Sequence, residues 1–99
     1  MQTPQAVGMP WFHEDDYEAF RAVLPERSWH STYGAWLAAA EQNVERLEKQ
    51  GVRAFKAHIR SHELVDWCTR RGCRVDTQAL LGMANEFAAR QLGYADPHE

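Results

Sequence analysis

The stretch "RAFKAHIR", Arg53 to Arg60, alternates side chains with a period of two. Phe55, Ala57 and Ile59 fall on one face, and Lys56, His58 and Arg60 on the other. The other long segments follow the 3.6-residue period of a helix. A lone strand cannot satisfy its own backbone N–H and C=O groups, so this one must pair. Two partners are open. One is Met9 to His13 of the same chain, a poor partner because Pro10 lacks an N–H and the segment is short. The other is the same strand of a second molecule across a two-fold axis.

The helical segments are placed by periodicity and by their stops. Tyr17, Phe20 and Leu24 make one face of a helix ended by Pro25. Glu14, Asp15 and Asp16 are expected in its first turn, where they answer the positive end of the dipole. Tyr33, Trp36, Leu37, Ala40, Val44 and Leu47 hold a four-turn stripe, with Ser31 or Thr32 as N-cap and Gly51 as the residue that closes it. Ser61 is expected to cap a short helix carrying Leu64, Trp67 and Cys68 and stopped at Gly72. A last helix runs from Asp76 or Thr77 to Leu92. Its apolar residues span roughly 180° of its circumference, wider than the ~100° that one packing layer needs. That width asks for a second neighbour, and a second chain would supply one.

The expected fold is therefore α+β and predominantly helical. It has four helices and one short strand in the order α-α-β-α-α, with the strand in a two-stranded ribbon made with residues 9–13 or across a dimer. Residues 1–8 are expected to be a disordered extension, 9–94 a single compact domain and 95–99 a frayed tail. The dimer core is expected from Phe55, Ala57, Ile59, Leu81, Ala88 and Leu92. At 99 residues, with 44% hydrophobic and 25% charged, the chain has the composition of one globular domain. No basic leader with an apolar run and no membrane-length apolar stretch occurs, and two cysteines are too few for a secreted disulfide framework. A cytoplasmic protein without membrane contact is expected.

Few constellations point to chemistry. His58, His62, Cys68 and Cys73 are four zinc-competent side chains within sixteen residues. Against a zinc site, His58 is on the strand while His62 starts a helix, and neither cysteine belongs to a C-x2-C knuckle. Cys68 and Cys73 also fit the contact that accompanies a glycine helix stop. No nucleophile elbow, phosphate loop, zinc-protease helix or dinucleotide fingerprint is present. The stretch Trp29-His30-Ser31 reads as a loop with one buried Trp. No catalysis and no cofactor are expected.

The charge is uneven. Residues 1–50 carry eight acids and four bases, whereas Arg53, Lys56, Arg60, Arg70, Arg71 and Arg74 face only Glu63 and Asp66 between Gly51 and Val75. A patch of Lys56, His58, Arg60, Arg70, Arg71 and Arg74 is a candidate nucleic-acid surface, although the net charge of −3 opposes general polyanion binding. The order strand, short helix, glycine turn, longer helix over Arg53 to Leu92 resembles the ribbon-helix-helix DNA-binding proteins. That resemblance implies an antiparallel ribbon between two chains, with Lys56, His58 and Arg60 reading DNA and Phe55, Ala57 and Ile59 facing the dimer core. A short helix from His62 to Arg71 and some fifty preceding residues depart from that family. The function expected first is a small accessory protein that binds an unidentified protein partner as a homodimer. A DNA-binding regulator and a zinc-stabilised module are the alternatives.

Overall fold

The computed structural model describes residues 5–93. It contains four α-helices and a two-stranded parallel sheet, and is about 60% helical. In chain order these are β1 (Gln5–Trp11), a 3₁₀ turn (Glu14–Asp16), α1 (Tyr17–Val23), α2 (Tyr33–Lys49), β2 (Val52–His58), α3 (Ser61–Arg71) and α4 (Thr77–Gln91). The order is thus β-α-α-β-α-α, which corrects the expected α-α-β-α-α. The expected strand is β2, and its partner is β1 of the same chain, parallel, in a register that pairs Gln5 with Val52 and Trp11 with His58. Gln5 to Gly8, expected to be disordered, are the first half of β1. Residues 1–4 and the expected tail at 95–99 lie outside the described residues.

Pro10 does not prevent pairing, and the register explains why. In a parallel pair, alternate residues of each strand turn both N–H and C=O towards the partner. The Ile59 N–H reaches the Trp11 carbonyl at 3.3 Å. Odd-numbered residues of both strands therefore face inward, and Gly8 and Pro10 face the outer edge of β1. There the missing N–H of Pro10 costs no ladder bond.

The sheet is covered on both faces. At Gly8 an added Cβ would stand 1.9 Å from the Ala84 carbonyl oxygen, so α4 crosses β1 nearly backbone to backbone. Trp11, three residues on and therefore on the opposite face, meets Trp36 of α2 edge-on with ring centroids 5.3 Å apart. Leu80, Ala84 and Ala88, spaced at i, i+4 and i+8, are the buried stripe of α4. Small residues at two of those positions permit the close approach. Beyond the strand ends, Phe12, Tyr17, Phe20, Trp29 and Trp36 form an aromatic cluster, with Phe12 and Phe20 centroids 4.6 Å apart. Two of its polar groups are satisfied locally. The Tyr17 hydroxyl donates to the His30 carbonyl at 2.8 Å, and the Trp29 indole N–H to the Leu24 carbonyl at 2.8 Å.

The helix stops fall as expected. Thr32 Oγ1 accepts the Ala35 N–H at 3.1 Å, and Asp76 Oδ1 accepts that of Ala79 at 2.9 Å. Gly72 takes the left-handed conformation, φ 67°, and Cys73 N–H bonds back to the Cys68 carbonyl at 3.0 Å, closing a Schellman stop. The acidic trio stands in the turn that leads into α1, and two of its members also do something not expected of them. Asp16 reaches across the fold to the start of α3, accepting the Ser61 N–H at 2.6 Å and the Ser61 hydroxyl at 2.8 Å. Asp15 pairs with Arg60 at 3.1 Å. Ser61 is thus the first residue of α3 rather than its cap, and Arg60 occupies the cap position with its N–H on the Glu63 carboxylate, 2.8 Å away. A carboxylate from another segment does what a capping serine usually does.

Candidate functional site

The residues expected to form a dimer core divide. Ala57, Ile59 and Ala88 are buried within one chain, 0%, 3% and 5% exposed, and so are not available to a partner. The sheet and α4 meet the extra burial that their pattern demands. Phe55 is half-buried beneath the Arg53 guanidinium, 4.9 Å from its ring centroid, and Leu92 is half-buried. Leu81 is exposed.

The basic residues do not stand as one free patch. Arg60 is held by Asp15, Arg70 by Asp66 at 3.2 Å, and Arg71 by Glu86 at 2.7 Å. Arg71 also stacks over Trp67, 4.1 Å from the ring centroid. Lys56 lies over the Trp11 ring at 4.6 Å, and His58 beside His13 with centroids 5.2 Å apart. Burial, followed by the His13 and Lys56 charges, lowers the pKa of His58. Lys56 and Arg74 make no ion pair among the described residues. The ribbon-helix-helix arrangement is corrected as well, because the strand runs parallel to a strand of its own chain.

Among the described residues no three His, Cys, Asp or Glu side chains gather as metal ligands. Within the suggested zinc set, Cys68 is buried in the core and Cys73 exposed, and both are free thiols. Burial pushes the Cys68 thiol up to about 11, so it stays protonated. His58 and His62 do share a surface. Together with Ile59, Glu63, Asp66, Trp67, Arg70, Met83, Phe87 and Arg90 they line a cleft of about 570 Å³ between α3 and α4 at the C-terminal end of β2. Half-buried Trp67, Met83 and Phe87 contribute apolar walls, while Arg70 and Arg90 are spent on Asp66 and Glu86.

The two outer edges of the sheet differ. On β1, the Gly8 N–H is taken by Asn85 Oδ1 at 3.2 Å and Pro10 has no N–H. On β2 the outward residues are Val52, Ala54, Lys56 and His58, and none of their backbone groups finds a partner among the described residues. Open space also borders Gly51 to Phe55 along this strand.

Sequence reasoning passed over Arg27, which sits between Pro25 and Trp29 in a stretch read only as a loop. Its guanidinium lies over the Phe12 and Trp29 rings, 5.3 and 5.1 Å from their centroids, and its Nη1 is buried with no acceptor among the described residues. The signal available in the sequence was a lone Arg inside an aromatic-rich stretch. Comparison with protein-family models, curated proteins and solved structures returned no match.

Proposed function

We propose that this chain acts by binding, as a small accessory protein with no chemistry of its own, and that it works as a homodimer closed through the outer edge of β2. The observation that carries this reading is the asymmetry of the two edges. Asn85 and Pro10 blunt β1, while β2 keeps four outward residues with open N–H and C=O groups. Such an edge is a template for another strand.

A second copy of β2 fits that edge in one register in particular. Antiparallel pairing over the full length of Val52–His58 places Phe55 opposite Phe55 of the partner subunit, at a non-hydrogen-bonded position where side chains come closest. Arg53 then faces Ala57, and Lys56 faces Ala54, so no like charges stand directly opposite. The half-exposed Phe55 gains cover, and the sheet grows to four strands. A free exposed Cys73 beside a buried Cys68 thiol is in keeping with a reducing, cytoplasmic setting.

The test is the mass in solution, by light scattering behind a sizing column at low micromolar protein. Twice 11.4 kDa is expected for the unaltered chain. Ala54→Pro removes an outward N–H that the chain does not use internally and should give a monomer with unchanged circular dichroism. A monomeric unaltered chain, or a dimer that survives Ala54→Pro, overturns the reading.

A further inference from the structure

Arg21, Arg60, Arg70, Arg71 and Arg90 all meet carboxylates. Four arginines make no ion pair among the described residues, and of these Arg46, Arg53 and Arg74 are exposed whereas Arg27 is half-buried. Its Nη1 is the one side-chain polar atom that is fully shut from solvent and unpartnered among the described residues. Burial lowers its pKa, which records the cost of keeping that charge out of water. Stacking on Phe12 and Trp29 compensates through the ring faces, but a guanidinium also carries five N–H donors that rings do not satisfy. A buried donor left in this state calls for a reason.

Nη1 itself is out of a ligand's reach, but Nε and Nη2 of the same guanidinium also make no hydrogen bond among the described residues and are not shut from solvent. Arg27 lines a pocket of about 380 Å³ whose walls include Met9, Pro10, Trp29, Trp36 and Ala40, with Asn43 at its polar side. The volume is at the small end of the range for ligand sites, and the lining mixes the rings of Trp29 and Trp36 with the polar side chains of Arg27, Ser28, His30 and Asn43. With its Cζ held over two rings, this guanidinium can take a carboxylate through two parallel N–H···O bonds from Nε and Nη2.

We infer that the Arg27 pocket is a binding site for a carboxylate carried on a flat apolar body. The carboxylate meets the guanidinium, and the body packs against Trp29, Trp36 and Met9. Two sources have this chemistry, a free aromatic acid and the terminal carboxylate of a peptide that ends in an aromatic residue. The site is separate from the β2 edge, and neither depends on the other.

The test uses the full chain and two-dimensional NMR, with indole-3-carboxylate, indole-3-carboxamide, inorganic phosphate and a short peptide ending in Trp as probes. Saturable shifts of the Trp29 and Trp36 indole N–H signals and of the Asn43 amide are expected with the carboxylate, the peptide or both. The tighter of the two identifies the source. The carboxamide should bind at least about tenfold more weakly, since it loses the charge-assisted pair. Arg27→Met keeps the length and removes the fork, and it should abolish the shifts without lowering the melting temperature, because relief of the desolvated charge offsets the lost ring contacts. Failure of both carboxylate probes to saturate at millimolar concentration overturns the inference. So does equal binding of acid and amide, binding of phosphate as tight as that of the carboxylates, or an Arg27→Met protein that binds unchanged. An Arg27→Met protein that melts well below the original assigns Arg27 to the core and overturns it too.

Discussion

Gly8→Ala is the most informative single change. The new Cβ would stand 1.9 Å from the Ala84 carbonyl oxygen, 2.4 Å from its carbonyl carbon and 3.0 Å from the Asn85 nitrogen. All three are backbone atoms of α4, so no side chain can swing aside. Ordinary contact begins near 3.4 Å, and α4 must therefore retreat by roughly 1.5 Å. That retreat loosens Leu80, Ala84 and Ala88 from the sheet and stretches the Gly8 to Asn85 bond, already 3.2 Å. Overpacking typically costs ~1–3 kcal/mol, and a rigid backbone neighbour puts this case at the upper end. The restricted unfolded chain returns ~0.4–1 kcal/mol, leaving a net loss of about 2–2.5 kcal/mol. For a domain of this size that is a fall in melting temperature of roughly 10–20 °C, read by circular dichroism. Gly34→Ala is the control. Nothing lies within 4 Å of its added Cβ, and it sits in the first turn of α2, where ~0.5–1 kcal/mol of stabilisation is expected. If Gly8→Ala melts within ~3 °C of the original protein, α4 does not cross β1 as described, and residues 5–8 are the loose extension that the sequence alone indicates.

Other consequences are open to measurement. Asp16→Ala removes both acceptors at the start of α3 and should cost ~1–2 kcal/mol, with a double-mutant cycle against Ser61→Ala showing that the two losses are coupled; additive losses would contradict the cross-chain cap. A thiol reagent at neutral pH should label Cys73 quickly and reach Cys68 only after unfolding, and two fast thiols would show that Cys68 is not in the core. The His58 imidazole should titrate below the ordinary value of 6.5, and His13→Ala should raise its midpoint. Because the folded pKa is lowered, the unfolded chain takes the proton first. His58 thus detracts nothing above 6.5, and stability falls as the pH drops from 6.5 through the folded midpoint. A midpoint at or above 6.5 in an NMR titration would refute this.

What the sequence disclosed depended on the size of the side chains that carried the pattern. The faces of β2 were legible because Ala57 and Ile59 alternate with Lys56 and His58, and the helix stops because glycine and capping residues act locally. The first half of β1 was not legible. Gln5, Ala6, Val7 and Gly8 show no large alternating side chains, because the strand makes room for α4 there, and the feature that fixes it is an absent Cβ. Pro10 made Met9 to His13 read as a poor partner, since its harmless outward placement depends on a register that only the folded chain defines. The wide apolar arc of α4 was legible, but its meaning was ambiguous: one sheet face and α3 meet the demand that a second chain also could have met. The cross-fold pairs Asp15–Arg60 and Asp16–Ser61, 45 residues apart in the chain, leave no local trace. The same is true of the isolation of Arg27, which is a fact about what does not come near it.

If β2 turns its odd-numbered backbone groups to β1 and its even-numbered ones to another strand, amide protection along it must alternate. Residue-resolved amide hydrogen exchange by NMR over a dilution series tests it most directly. Phe55, Ala57 and Ile59 should exchange slowly at every concentration. Ala54, Lys56 and His58 should exchange fast in dilute protein and slow down as concentration rises and the edges pair. The reverse alternation would contradict the register of the sheet, and even-numbered amides that remain fast at every concentration would contradict the dimer.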